Sequence, residues 1–112
     1  MIEMRIEGRA IYLKLSEEIS KEHRLELEHV YQQILNTQSI VLILDISSCK
    51  KIEEYCLRPL VQLQANIRMR EGGNIYIIGA RPSLRKFLLI KGAVRESEIY
   101  QDMKEMKQAL LA

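Results

Sequence analysis

The residues considered for chemistry in this chain are few: two histidines, two cysteines and the adjacent carboxylates Glu53 and Glu54. Cys56 comes near the start of a predicted helix, where a thiol pKa is lowered and a thiolate nucleophile is favoured. No histidine lies near Cys56 in the sequence to act as its base, and Glu53 and Glu54 would oppose the thiolate charge. We therefore interpret Cys56 as a core or boundary residue and Cys49 as a small apolar residue in a loop, and do not favour an enzyme with a cysteine nucleophile.

The remaining motifs do not assemble a catalytic or metal site. His23 and His29 are six residues apart on one predicted helix, so they point in different directions and cannot share a metal. Gly72-Gly73 lacks the spacing of a nucleotide phosphate loop. We expect no enzyme activity, no cofactor and no metal.

The composition bounds the class of protein. A chain of 112 residues with 47% hydrophobic residues fits one domain, spanning 1–112. The net charge of +2 is too balanced for a nucleic-acid partner. The longest apolar run, Ile40 to Leu44, is far too short to insert in a membrane, and the first residues do not resemble a signal peptide. With only two cysteines, which fits reduced thiols, we expect a cytoplasmic protein.

Hydrophobic periodicity predicts an α/β fold with the element order ββαβαβαβα. Strands are expected at 4–8, 10–15, 40–46 and 74–79, with a short edge strand at 99–100, and helices at 21–36, 54–71, 83–91 and from 102 onward. The run at 40–46 is continuously apolar, which is typical of a strand covered on both faces. Short connections between alternating elements predict a mixed sheet of about four to five strands with about four helices and parallel later strands.

The helix at 54–71 has one irregular feature, Pro59, which is tolerated only in a first helical turn. The helix is therefore expected to begin close to Pro59 or to bend there. Its apolar stripe is predicted to contain the residues Cys56, Leu57, Leu60, Val61, Leu63 and Ile67.

The stretch from Asp45 to Leu60 resembles the central motif of STAS domains, the sulphate transporter and anti-sigma factor antagonist domains. That motif reads roughly D-L-S-x-V-x-x-I-D-S-S-G-L-x-x-L. The matching positions without a gap are Asp45, Ile46, Ser47, Ile52, Leu57 and Leu60, and Glu53 stands in for the second aspartate. Downstream segments at 72–79, 84–92, 99–100 and 109–110 also resemble the family, so the likeness covers nearly the whole chain.

The resemblance implies a regulatory module that binds an anti-sigma factor or a kinase-like ATPase in bacterial signalling. In the antagonist branch, the first serine of D-S-S-G-L is phosphorylated by a partner kinase, and the unphosphorylated form binds that kinase and frees a sigma factor. Phosphate is an effective switch because it adds nearly two negative charges at the binding surface.

This chain departs from the motif at the switch itself. Glu54 occupies the phosphoserine position, Tyr55 the second serine and Cys56 the glycine. Because Glu54 cannot be phosphorylated, our hypothesis is a domain that does not switch there. The residues expected at the partner surface are Ser47, Ser48, Glu53, Glu54, Tyr55, Cys56 and Arg58.

Two questions stay open at the sequence level. A STAS-like sensory domain that binds a small ligand or nucleotide near Glu54 is the alternative, although adjacent carboxylates there would repel an anion. Leu89 and Ile90 lie outside the apolar stripe of their helix and either remain exposed for a partner or pack under the last helix. The expected oligomeric state is a monomer or a weak homodimer.

Overall fold

A computed structural model describes residues 2–111 and contains eleven regular strands and α-helices. In chain order they are β1 Glu3–Glu7, β2 Ala10–Lys14, β3 Glu18–Ile19, α1 Arg24–Leu35, β4 Val41–Asp45, β5 Lys51–Ile52, α2 Leu57–Arg68, β6 Asn74–Ile78, α3 Pro82–Ile90, β7 Ile99–Tyr100 and α4 Met103–Leu111. Short 3₁₀ turns at Lys21–His23, Glu54–Cys56 and Glu96–Glu98 precede α1, α2 and β7.

The main sheet is mixed and has the order β1-β2-β4-β6-β7. β1 and β2 form an antiparallel hairpin, and every other neighbouring pair is parallel. The predicted α/β class, the mixed five-stranded sheet and the four helices are therefore confirmed. Since parallel crossovers are right-handed, α1, α2 and α3 lie on one face of this sheet.

A second, two-stranded sheet was not predicted. β3 pairs in parallel with β5, with Glu18 opposite Lys51 and Ile19 opposite Ile52. Both strands fall in segments expected to be connections, because two residues are too few to display strand periodicity. This small sheet ties the segment after β2 to the segment before α2.

The core lies under the helix-covered face, where alternate residues of β2, β4 and β6 are buried. The expectation that β4 is covered on both faces was wrong, because Val41 and Ile43 retain partial exposure. α4 contacts the sheet at β6 and β7.

The start of α2 follows from Pro59. The Glu54–Cys56 segment is a 3₁₀ turn and the α-helix begins at Leu57, so Pro59 lies in its first turn, as its missing N–H requires. The prediction that Val61 belongs to the buried stripe was wrong: Val61 is 38% exposed. The stripe is completed instead by Gln64, which is buried and donates to the backbone oxygen of Ala93 at 3.1 Å.

The far end of α2 is anchored by two arginines. Arg68 forms a partly buried ion pair with Glu98 and donates to the Gln64 side chain at 3.1 Å. Arg70 donates to the backbone oxygens of Ile34, at 3.1 Å, and Ser39, at 2.6 Å. These bonds place a cation at the carboxyl end of α1, where the helix dipole favours positive charge.

Among residues 2–111, no helix is both long and apolar enough to span a lipid bilayer.

Candidate functional site

The segment between β4 and α2 is held in place by backbone hydrogen bonds to the segment after β2. Lys50 N–H donates to Glu17 O at 2.7 Å, and Glu53 N–H donates to Ile19 O at 2.8 Å. The Cys56 thiol contacts Ser20 O at 3.2 Å. The segment that leads into α2 is therefore held in position by hydrogen bonds to the segment after β2.

Asp45 organises the beginning of this segment. Its carboxylate accepts hydrogen bonds from Ser47 N–H at 2.9 Å, from Ser47 Oγ at 2.6 Å and from the Tyr12 hydroxyl. Burial alone would raise the pKa of Asp45, but the hydrogen bonds from Ser47 and Tyr12 outweigh it and lower the pKa. Burial and the neighbouring Asp45 raise the pKa of Tyr12 to about 12, which keeps its hydroxyl a donor.

The lowered pKa of Asp45 links stability to pH. Its stabilisation is present above the unfolded-state pKa, about 3.9, and is lost as the pH falls through the lower folded-state value. In Asp45→Asn we expect a lower free energy of unfolding at neutral pH and a smaller deficit relative to wild type below about pH 4. Urea titrations across the acidic range measure this, with Ser47→Ala expected to give a smaller effect of the same sign. A deficit for Asp45→Asn that is constant with pH would contradict the assignment.

Glu54 lies on the exposed corner between β5 and α2. Its side chain is 68% exposed, and its Oε1 lies 2.8 Å from the Nζ of Lys91, just after α3. The sequence did not single out Lys91, which is 37 positions away. The position that resembles a phosphoserine thus faces solvent and a cation.

The residues beside Glu54 differ in exposure. Tyr55 is exposed, and the neighbouring Glu53 carboxylate is the main cause that raises its pKa to about 12. Arg58 is exposed in the first turn of α2. Cys56 is fully buried, so its inclusion among partner-contacting residues was wrong: it positions the turn from inside.

The buried thiols are poorly suited to nucleophilic chemistry. Burial, followed by the charge of Glu53, raises the pKa of Cys56. Burial likewise raises the pKa of Cys49, which lies in the loop between β4 and β5 with its side chain in the core, as expected for a small apolar loop residue. The lowered thiol pKa that would have favoured a cysteine nucleophile is therefore absent. Residues 2–111 also hold no cluster of three or more potential metal ligands.

A groove of about 600 Å³ separates this corner from α3. Its lining is apolar at the base and charged at the rim, and consists of Lys50, Lys51, Ile52, Glu53, Glu54, Tyr55, Ser83, Leu84 and Phe87. The sequence pointed to the residues of the corner but not to Phe87 and Ser83 as their neighbours, because only the fold brings α3 beside them.

Four of the expected site residues do not line this groove, namely Ser47, Ser48, Cys56 and Arg58. Ser47 is engaged with Asp45, and Ser48 borders a separate cleft with Glu3 and Lys14. The two residues of α3 that lie outside its apolar stripe differ in exposure. Leu89 is partly buried against the core, whereas Ile90 is 71% exposed.

No protein-family model and no curated protein matches the sequence. Solved structures do match in fold. The unphosphorylated form of SpoIIAA, an anti-sigma factor antagonist of Bacillus, superposes with a TM-score of 0.80 at 10% identity, covering 99% of this chain and 96% of that one.

Two further relatives broaden the comparison. A serine-to-glutamate variant of RsbS from Moorella thermoacetica has a TM-score of 0.77 at 14% identity, covering 98% of this chain and 94% of that one. The STAS domain of a SulP transporter from Vibrio cholerae has a TM-score of 0.74 at 18% identity, covering 96% and 84%. The chain therefore has the STAS-domain fold.

Proposed function

We propose that this chain, which has the STAS-domain fold, is a single cytoplasmic domain that regulates bacterial signalling by binding a protein partner and catalyses no reaction. The partner class is an anti-sigma factor or kinase-like ATPase. The observation that carries the proposal is the exposed Glu54 carboxylate at the start of α2, where the resembled motif has its phosphorylated serine.

The docking surface that we propose is the corner formed by Glu53, Glu54, Tyr55 and Arg58 together with the groove beside α3. Its hydrogen-bonded support presents these side chains without a large ordering cost on binding. The apolar base, which includes Phe87, and the charged rim match the usual anatomy of a protein interface. The relatives support the partner class, because their fold is that of anti-sigma factor antagonists.

The carboxylate at position 54 acts, in this proposal, as a fixed negative charge of about half the magnitude of a phosphate. Lys91 would stabilise a larger negative charge at position 54, because its amine already contacts Glu54. One structural relative, RsbS from Moorella thermoacetica, keeps the same fold as a serine-to-glutamate variant.

Binding to a panel of purified anti-sigma factors and histidine-kinase-like ATPases, measured by titration calorimetry, tests this function. We expect at least one partner, with Glu54→Lys weakening its binding at least ten-fold, about 1.4 kcal/mol. Glu71→Lys is the matched control, because Glu71 is an exposed carboxylate beyond the opposite end of α2. Equal losses in the two variants, or no binding to any member, would contradict the proposal.

A small-ligand or nucleotide sensor is the second candidate, favoured by the groove itself. Its volume falls in the range of ligand pockets, and Lys50 and Lys51 lie on its rim. Lys50 is already paired with Glu17 at 2.7 Å, and two carboxylates share the rim, which disfavours an anion. Thermal-shift measurements with nucleotides and inorganic anions separate the candidates, because a ligand of the native state raises the melting temperature.

A further inference from the structure

β1 is an outer strand of the main sheet and pairs with β2 on one side only. Four of its five side chains are exposed, including Ile6 at 48%. An unpaired edge strand offers backbone donors and acceptors to a further strand. The edge of β1 is therefore a potential pairing surface.

The hydrogen bonds of β2 establish which groups that edge presents. Leu15 N–H donates to Asp45 O at 3.1 Å, and Arg9 O accepts from Ile40 N–H at 2.9 Å. Backbone groups alternate in direction along a strand, so the odd-numbered residues of β2 bond toward β4. The even-numbered residues of β2 consequently bond toward β1.

The register of the hairpin transfers this alternation to β1. Tyr12 is opposite Arg5, and Ala10 is opposite Glu7, so Arg5 and Glu7 bond inward to β2. Met4 and Ile6 therefore direct their backbone N–H and C=O groups away from the sheet. A second β1 strand would bond to these two residues.

The charges of β1 distinguish among the antiparallel self-pairings that use those outward groups. The exposed face alternates Glu3, Arg5 and Glu7. A pairing centred on Arg5 would place Arg5 opposite its own copy and Glu3 opposite Glu7, which are repulsive cross-strand pairs. A pairing centred on Ile6 places Arg5 opposite Glu7 of the other copy twice, which is attractive.

A pairing centred on Met4 would also bring opposite charges together, but it needs the outward N–H of Ile2. That N–H already donates to Glu26 Oε1 of α1 at 2.7 Å. This hydrogen bond occupies the backbone group at the amino-terminal end of the edge. Of these three registers, only the one centred on Ile6 places opposite charges across from each other and does not need the N–H of Ile2.

We propose that two copies of this chain associate through β1, antiparallel about a two-fold axis at Ile6, to form one continuous sheet. The Arg5–Glu7 pairs occupy non-hydrogen-bonded positions, where cross-strand side chains are closest. An interface of one short strand per copy is small, so the dimer is weak and concentration-dependent. None of the residues lining the groove belongs to β1, so this inference is independent of the proposed function.

Sedimentation velocity over a concentration series tests the dimer. Wild type is expected to dimerise as its concentration rises toward about 1 mM, in the range of weak association. Arg5→Glu and Glu7→Arg each place like charges opposite one another, so each variant alone is expected to dimerise at least ten-fold more weakly. An equal mixture of the two is expected to recover wild-type association, because every cross-strand pair is again opposite in sign.

Recovery in the mixture excludes misfolding as the cause of the single-variant losses. A wild type that is monomeric throughout, dimers that persist in both single variants, or a mixture that fails to associate would each overturn the proposal. Amide hydrogen exchange gives a second readout. The amides of Met4 and Ile6 are expected to gain protection from exchange as the protein concentration rises. Those of Arg5 and Glu7, which are already bonded to β2, are expected not to change. Protection gained only at other residues would also overturn the proposed dimer.

Discussion

Replacing Gly79 with alanine is expected to lower the free energy of unfolding by about 3 kcal/mol, from backbone strain and overpacking together. Gly79 has a φ of +78°, which side-chain-bearing residues rarely adopt. A Cβ there would also lie 2.5 Å from the Cβ of Ser47 and 2.7 Å from its Cα. The neighbour is backbone that cannot rotate away, so Ser47 would have to move.

That displacement would reach the candidate site. Ser47 donates two hydrogen bonds to the buried Asp45 carboxylate, and moving it weakens both. The segment that begins at Ser47 continues through β5 to the corner at Glu54. We therefore expect Gly79→Ala to disturb the site as well as the stability.

Gly92→Ala is the matched control for this prediction. Gly92 has a similar φ of +68°, but a Cβ at that position would meet nothing within 4 Å. Only the backbone cost remains, about 1 kcal/mol. Urea denaturation followed by circular dichroism measures both variants, and equal losses would contradict the close approach of Gly79 to Ser47.

Much of the architecture could be predicted from the sequence because its main elements have strong periodicity. The apolar runs of β4 and β6 and the glycines that follow α2 and α3 mark boundaries that the structure reproduces within a few residues. Pro59 located the beginning of α2 because proline excludes itself from a helix interior.

The errors in the fold have a common physical cause, which is dependence on tertiary context. Val61 lies on the edge of the α2 stripe, and only the position of neighbouring helices determines that it is exposed. Gln64 is buried because Ala93, far along the chain, accepts its hydrogen bond. No local pattern encodes either outcome.

The sequence predicted which segment forms the candidate site, but not which residues from other elements lie beside it. The motif resemblance indicated Glu54 and its neighbours, and the structure places Glu54 on an exposed corner. Lys91 and Phe87 could not be predicted as neighbours of Glu54, because they reach it only through the packing of α3. The apolar stripe correctly predicted that Cys56 is buried, and only its inclusion among the partner-contacting residues, which followed from its place in the motif, was wrong.

The second large effect is expected from Glu54→Ser, which restores a hydroxyl at the phosphoserine position of the motif. A histidine-kinase-like ATPase that binds the wild type is expected to phosphorylate the variant at position 54. The added charge of nearly −2 would lie beside Lys91 and change the docking surface. Partner affinity should then depend on ATP in Glu54→Ser and be independent of ATP in the wild type. Glu54→Ala, which lacks an acceptor, is the control and is expected to be insensitive to ATP.

The most direct test of the claim that Glu54 is a permanent charge at the phosphoserine position is mass spectrometry. The wild type and Glu54→Ser are each incubated with ATP and with every ATPase that binds them. We predict an unmodified wild type and a single phosphate on residue 54 of the variant. Phosphate on Tyr55, Ser47 or Ser48 of the wild type would show that the chain retains a removable charge at this surface, contradicting the account.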